Sequence, residues 1–131
     1  MTEPLIASLD HLVLYVADPE ATAAFYHRHF GMEIVRFGEG GTRLALGFGA
    51  QKINLHASSA PFRPHSDNPA AGAGDLCLLT EVPVAELRLR LEAEGVLVEE
   101  GPVPRTGATG PILSIYLRDP DGNLIEIANR A

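Results

Sequence analysis

The chain has 131 residues, 46% of them hydrophobic, and a formal net charge of −7 at pH 7. This length supports one compact domain with a hydrophobic core and is short for two ordinary domains. The ten Lys and Arg residues are scattered along the chain. Because nucleic-acid affinity depends on basic residues that neutralise phosphates, we expect no nucleic-acid partner and favour a small-molecule substrate.

The chain also lacks the sequence marks of export or membrane insertion. It has no apolar run of about 18 residues, which a membrane span requires, and no basic and apolar leader. The single Cys77 cannot form an intrachain disulfide, which fits a reducing compartment. We therefore expect a cytoplasmic protein without membrane association, with Cys77 as a small buried hydrophobic residue.

The first half of the chain predicts a strand, a helix and three further strands. Residues 8–16 are apolar and strand-like, and Asp18 followed by Pro19 predicts a helix start. Gly31 then ends a helix predicted over Pro19–His29. Turn residues separate the remaining strand-like runs, which lie at about 32–37, 42–48 and 52–56.

The second half repeats this order after a loop rich in Pro, Ser, Ala and Gly. A strand is predicted over 75–79, and a helix begins near Pro83 and ends at Gly95. Three strands follow at about 96–100, 112–118 and 123–128. The repeat predicts an α+β fold in one domain spanning residues 1–131. It consists of two βαβββ modules, about 6–57 and 73–131, that form a curved mixed sheet around a cleft.

Strand alternation places one polar residue on the opening strand and one on the closing strand of each module. Side chains two residues apart share a face of a strand, so each of these residues can point away from the helix that covers the other face. The four candidates are His11, His56, Asp75 and Glu126. Glu126 is unusual because it interrupts an otherwise apolar last strand.

Two imidazoles and one carboxylate form a typical ligand set for a divalent ion of iron, nickel, manganese or zinc, and Asp75 would add a fourth ligand. A bound cation would also relieve the electrostatic cost of placing carboxylates in a cleft. The alternative is that each residue is satisfied separately. His11 would then be a core histidine, His56 a surface residue, Asp75 a strand-start residue and Glu126 the partner of an arginine.

Other polar residues are candidates for substrate contact. Arg105 lies in a predicted loop with repeated glycines, residues 105–110, where its guanidinium could bind a carboxylate or phosphate. Ser114 and Tyr116 share one face of the following strand and could line the cleft, although Tyr116 as an ordinary core residue is an equal alternative. Asn54 shares a face with His56 and completes this group.

Several motifs together resemble the vicinal oxygen chelate superfamily over essentially the whole chain. They are His11 in Asp-His-Leu-Val-Leu, Asp18-Pro19, Phe25-Tyr26, Phe30-Gly31 and the run from Asp119 to Glu126. Residues 51–56, 75–77 and 101–107 are similar to the glyoxalase domain-containing protein 5 subgroup, also described as lactoylglutathione lyase-like. The resemblance implies paired βαβββ modules, a homodimer, and one divalent metal per cleft that binds vicinal oxygens of the substrate.

By this resemblance His11 and Glu126 match the metal ligands of the first and last strands. Asp75 stands where many members have histidine, and Asn54 and His56 stand near the position where the lyases have glutamate. One interpretation is that His56 replaces the histidine missing at 75, with Asp75 as an optional ligand or base. Glu126 or Asp75 would then transfer the proton in lyase-like chemistry.

The leading hypothesis is therefore a metal-dependent enzyme with lactoylglutathione lyase-like or dioxygenase-like chemistry on a small oxygenated molecule. The alternative is a metal-free protein that sequesters a ligand, of the bleomycin-resistance type.

Overall fold

The computed structural model describes residues 3–131, which divide into an N-terminal unit ending at Asp67 and a C-terminal unit, Asn68–Ala131. In this part of the chain each unit has one α-helix and a four-stranded mixed sheet, eight strands in total. The predicted α+β fold is confirmed. No helix among the described residues is long and apolar enough to cross a membrane.

The N-terminal unit follows the order predicted from the sequence. Its elements are β1 (His11–Val16), α1 (Pro19–Phe30), β2 (Glu33–Phe37), a 3₁₀ turn (Glu39–Gly41), β3 (Arg43–Phe48) and β4 (Gln51–Ala57). The strands lie in the order β1-β4-β3-β2, with β1 and β4 parallel and the other pairs antiparallel. The opening and closing strands of the unit are therefore neighbours.

The C-terminal unit repeats this arrangement. Its elements are β5 (Asp75–Leu79), α2 (Val84–Ala93), β6 (Val98–Gly107), β7 (Gly110–Arg118) and β8 (Leu124–Arg130). The strand order is β5-β8-β7-β6, and β5 and β8 are the parallel pair. Here too the opening and closing strands are adjacent.

The two helices begin with different capping groups. For α1, the Asp18 carboxylate accepts from the amides of Glu20 and Ala21 at 3.1 and 3.3 Å. The residue before α2 is Pro83, which supplies no side-chain cap. Instead Asn129 of β8 accepts from the Val84 amide at 2.8 Å. A residue from the far end of the unit thus satisfies the start of α2.

Residues 105–110 do not form the loop predicted from their glycines. Arg105 lies within β6, and Gly107 pairs with Gly110 across a two-residue turn that leads into β7. Pro102 and Pro104 are compatible with β6 because it is an edge strand, where a missing backbone donor can face away from the ladder. Arg105 is therefore held on a paired strand.

Candidate functional site

Strand register places one pair of polar side chains at the same position in each unit. In the N-terminal unit His11 pairs with Lys52, so Asn54 lies two residues further along β4 on the same face. In the C-terminal unit Asp75 pairs with Leu124, so Glu126 lies two residues further along β8 on the same face. The His11–Asn54 and Asp75–Glu126 pairs are thus internal equivalents.

His56 does not belong to this equivalent set. It pairs with Tyr15, four residues along β1 from His11, and at about 3.3 Å per residue the separation is about 13 Å. Ligand atoms of one metal ion lie within about 4 Å of each other, and side chains on one face of a sheet project in the same direction, so they do not converge over this separation. The geometry therefore does not fit His11 and His56 as joint ligands, and Asn54 takes the position equivalent to Glu126. The sequence predicted the face of His56 but could not predict its neighbours.

His56 instead belongs to a cluster around Arg43 of β3. The Arg43 Nη2 donates to His56 Nε2 at 3.2 Å. The guanidinium carbon lies 4.8 Å from the ring centre of Phe37 and 4.7 Å from that of Phe62, so the cation makes cation–π contacts with two phenyl rings. The His56 ring also packs edge-on against Tyr15 and Phe62, at 5.8 and 5.3 Å between centroids.

Burial, and secondly the Arg43 charge, lower the pKa of His56 below its ordinary value of 6.5. The folded protein therefore favours the neutral imidazole. The stability that depends on this neutral ring is present above pH 6.5 and is lost as the pH falls towards the lowered pKa. Because Arg43 can only donate, Nε2 is the acceptor of the neutral ring and Nδ1 carries its proton.

We expect NMR titration of the His56 ring protons to give a midpoint below 6.5, which rises in Arg43→Met. The variant keeps an apolar side chain of similar length but removes the charge that opposes protonation. Burial remains, so only part of the shift is lost. A wild-type midpoint at or above 6.5, or the same midpoint in the variant, would contradict the assignment.

His11 and Asn54 differ in their surroundings. The exposed His11 directs Nδ1 to the Asp10 carboxylate at 2.8 Å, which leaves Nε2 open on the other side of the ring. Asn54 is only 5% exposed, and its Oδ1 has no hydrogen-bond partner in the described part of the chain. A buried amide oxygen without a donor is costly, so this position suits an external donor or a cation.

Glu126 is held by its neighbour on β7. Its Oε2 accepts from the buried Ser114 hydroxyl at 2.6 Å, and Cys77 of β5 lies beside it in the strand register. Tyr116 is its cross-strand neighbour on β7. The second carboxylate oxygen, Oε1, accepts no hydrogen bond from the described residues. Glu126 therefore combines a fixed orientation with an open oxygen.

Arg105 and Tyr116 form a neighbouring group rather than an open anion site. The Arg105 Nε donates to the Tyr116 hydroxyl at 2.9 Å, and Nη2 donates to Glu100 at 3.4 Å. The hydrogen bond to Tyr116 and, more weakly, the charges of Glu100 and Glu126 raise the pKa of Arg105. Tyr116 is therefore a polar participant and not only a core residue.

Asp75 and Cys77 share the Glu126 face of the sheet and are exposed. The prediction of a buried Cys77 is wrong. The side chain lies on the open face of the sheet, and this position exposes it although cysteine is usually a buried residue type. Partial burial of the sulfur and the Glu126 carboxylate raise the pKa of the Cys77 thiol to about 11. The thiol is protonated at neutral pH, which makes Cys77 a weak nucleophile.

The turn before β8 sets the position of Glu126. The buried Asp119 accepts from the Asp121 amide at 2.9 Å and from the Asn123 side chain at 2.8 Å. Asn123 in turn accepts from the Gly74 amide at 2.6 Å. Gly74 immediately precedes β5 and Asn123 immediately precedes β8. This contact therefore fixes the register that brings Asp75 beside Glu126.

Sequence reasoning missed Arg43 and Phe62. The signal for Arg43 was present, because alternation along β3 places it with Ala45 and Gly47, opposite Leu44 and Leu46. Phe62 lies in an irregular segment, and no periodicity could place it over Arg43. Within residues 3–131, neither unit by itself gathers three His, Cys, Asp or Glu side chains around one point.

A family model described as the Glyoxalase/Bleomycin resistance protein/Dioxygenase superfamily matches residues 8–127. The glyoxalase domain-containing protein RDO1 of Mycosarcoma maydis is 50% identical over 124 residues, covering 95% of this chain and 69% of that protein.

Virulence protein STM3117 of Salmonella typhimurium is 48% identical over 124 residues, covering 95% of this chain and 85% of that protein. Its crystal structure matches with a TM-score of 0.92, covering 98% of this chain and 100% of that chain. A lactoylglutathione lyase from Agrobacterium tumefaciens is 28% identical, with a TM-score of 0.73 and 96% of each chain covered. The chain therefore belongs to the glyoxalase/bleomycin resistance protein/dioxygenase superfamily, the vicinal oxygen chelate proteins.

Proposed function

We propose that this protein is a divalent-metal-dependent enzyme acting on a small molecule with vicinal oxygens. The observation that carries the proposal is the equivalence of the His11–Asn54 and Asp75–Glu126 pairs, two polar positions per unit on neighbouring parallel strands. Lyase-like chemistry is favoured by the similarity to a lactoylglutathione lyase at 28% identity, and dioxygenase-like chemistry is the alternative.

The donor atoms fit a metal. His11 has the Asp10 carboxylate on Nδ1, an arrangement that orients an imidazole and leaves Nε2 free to ligate. Glu126 offers one oxygen while Ser114 holds the other. Asn54 supplies an amide oxygen that lacks a donor. We propose His11 and Glu126 as ligands and Asn54 and Asp75 as further candidates, contributed by one chain or by two copies in a homodimer.

A bound divalent ion would act as a Lewis acid that polarises a substrate oxygen. Asp75 is exposed, and its carboxylate makes no hydrogen bond or ion pair in the described part of the chain, so it is free to accept a substrate proton. Ser114 holds Glu126 in place, and Cys77, Tyr116 and Arg105 border it on the same sheet face.

We expect chelator-treated protein, reconstituted separately with iron(II), nickel, manganese or zinc, to bind about one ion per chain. His11→Ala and Glu126→Gln should weaken binding at least about tenfold, because the first removes a ligand and the second removes the negative charge of one. His65→Ala and Glu86→Gln are controls of the same residue types and should retain the ion. His56→Gln should also retain it, since His56 lies four residues from His11 along the paired strands. Elemental analysis after dialysis measures each result.

Absence of bound metal with all four ions would contradict the proposal and favour a metal-free ligand-sequestering protein. Loss of metal in His56→Gln with retention in Asn54→Ala would overturn the choice of Asn54 over His56.

A further inference from the structure

The Arg43 cluster of the N-terminal unit has no role in the proposed metal site. It consists of Arg43, His56, Phe37 and Phe62, and it lies at the Tyr15 end of the sheet face, whereas His11 lies at the other end. The acidic residue of β2 on this face, Glu33, is also at the His11 end, because it pairs with Gly47. The cluster therefore has its own electrostatic surroundings.

The guanidinium of Arg43 is only partly satisfied. It has five N–H donors, and its hydrogen bond to another side chain goes to His56, a neutral acceptor. Its Nε is buried without a partner, and no carboxylate pairs with it in residues 3–131. A half-buried cation without a counter-charge is unfavourable.

A second polar group beside Arg43 is also unpartnered. His56 is 6% exposed and shares the sheet face of Arg43. Its Nδ1, which carries the proton of the neutral ring, has no hydrogen-bond partner in the described part of the chain. Native proteins seldom leave neighbouring buried polar atoms unpaired unless water, an ion or a ligand completes them, and two neighbouring donors suit an anionic ligand.

The aromatic residues define how a ligand can approach. Phe37 and Phe62 both lie against the guanidinium, and an anion hydrogen-bonds to its edge, where N–H groups point outwards. A carboxylate matches that edge in a bidentate manner. Phe62 is 45% exposed and offers apolar surface beside it. The Lys52 ammonium lies 4.2 Å from the Phe37 ring centre and adds positive charge.

We propose that Arg43, with His56 and the Phe37 and Phe62 rings, binds a small monocarboxylate with an apolar or aromatic body. The site lies within the N-terminal unit and does not require a metal. This step rests on the proposed function. If the protein is a metal-dependent enzyme, the Arg43 cluster binds a carboxylate group of its substrate.

Phenylacetate is a suitable probe, and phenylacetamide is its neutral counterpart of the same shape. In chelator-treated wild-type protein we expect phenylacetate to cause saturable NMR shifts of the Arg43 and His56 side chains, with phenylacetamide at least about tenfold weaker. Arg43→Met should weaken phenylacetate binding at least about tenfold, because it removes the guanidinium donors. Arg36→Met is the matched control. It removes the same charge from a residue already paired with Glu20 at 2.8 Å, and binding should stay within about twofold.

Arg43→Lys provides a second test, because it keeps the charge and loses the bidentate edge. We expect it to bind phenylacetate at least about threefold more weakly than wild type. The proposal is overturned if phenylacetate does not saturate, if phenylacetamide binds equally well, or if Arg43→Met and Arg36→Met behave alike. Inorganic phosphate that binds at Arg43 while phenylacetate does not would also overturn the assignment to a carboxylate. The same phenylacetate titration with the Glu126→Gln variant separates the two proposals, because this variant should still bind phenylacetate although its metal binding is weakened.

Discussion

Asn123→Ala is expected to lower the free energy of unfolding by about 3–5 kcal/mol. The side chain is 1% exposed. It accepts from the Gly74 amide at 2.6 Å and donates to Asp119 at 2.8 Å. Alanine removes both bonds, so the Gly74 amide loses its partner and the buried Asp119 carboxylate loses one donor. Each unsatisfied buried group costs about 1–3 kcal/mol, and more when it is charged.

Urea unfolding followed by circular dichroism measures this effect. Asn68→Ala is the matched control because Asn68 is exposed, and we expect a change within about 0.5 kcal/mol. An Asn123→Ala protein within about 1 kcal/mol of wild type would show that the turn does not hold β5 and β8 in register.

The same turn illustrates what local sequence signals can predict. The run from Asp119 to Glu126 indicated a tight turn that leads a carboxylate into the last strand, and the structure has that turn before β8. Helix α1 was predicted over Pro19–His29 and ends one residue later. Asp18 and Gly31, both adjacent to the helix, carry this information.

Features that depend on distant partners could not be predicted in this way. The cap of α2 comes from Asn129 of β8, far along the chain. The neighbours of His56 depend on the register between β1 and β4, which no property of either strand specifies alone. Alternation correctly placed His56 and Asn54 on one face. Which of them lies near His11 is a tertiary property.

The glycines of residues 105–110 misled prediction for a related reason. Gly107 and Gly110 indicated a loop, but β6 extends to Gly107, which pairs with Gly110 of β7. The strand also contains Pro102 and Pro104, because an edge strand tolerates prolines, and edge position is known only from the assembled sheet. Arg105 is consequently bonded to Tyr116 and Glu100 rather than free in a loop.

Gly101→Ala is expected to destabilise the protein by more than about 4 kcal/mol, enough to prevent normal folding of a domain of this size. Gly101 has φ +105°, and an added Cβ would lie 2.8 Å from the Ile115 Cα and closer still to the Ser114 carbonyl oxygen. Both obstacles are backbone atoms of the paired strand β7, so the clash cannot be relieved by a side-chain rotation. The strands would have to separate.

Comparison with Gly95→Ala isolates the steric part of the destabilisation caused by Gly101→Ala. Gly95 also has a positive φ, +84°, but an added Cβ would meet nothing within 4 Å. Its cost should be about 1 kcal/mol, from backbone conformation alone. Thermal or urea unfolding of the soluble fraction compares the two variants, and similar stabilities would contradict the close approach of β6 to β7.

The close approach of β6 to β7 matters for the site because Ser114, whose carbonyl limits position 101, also donates its hydroxyl to Glu126. A glycine on the edge strand thus allows β6 to close onto β7 without displacing the residue that orients the proposed metal ligand.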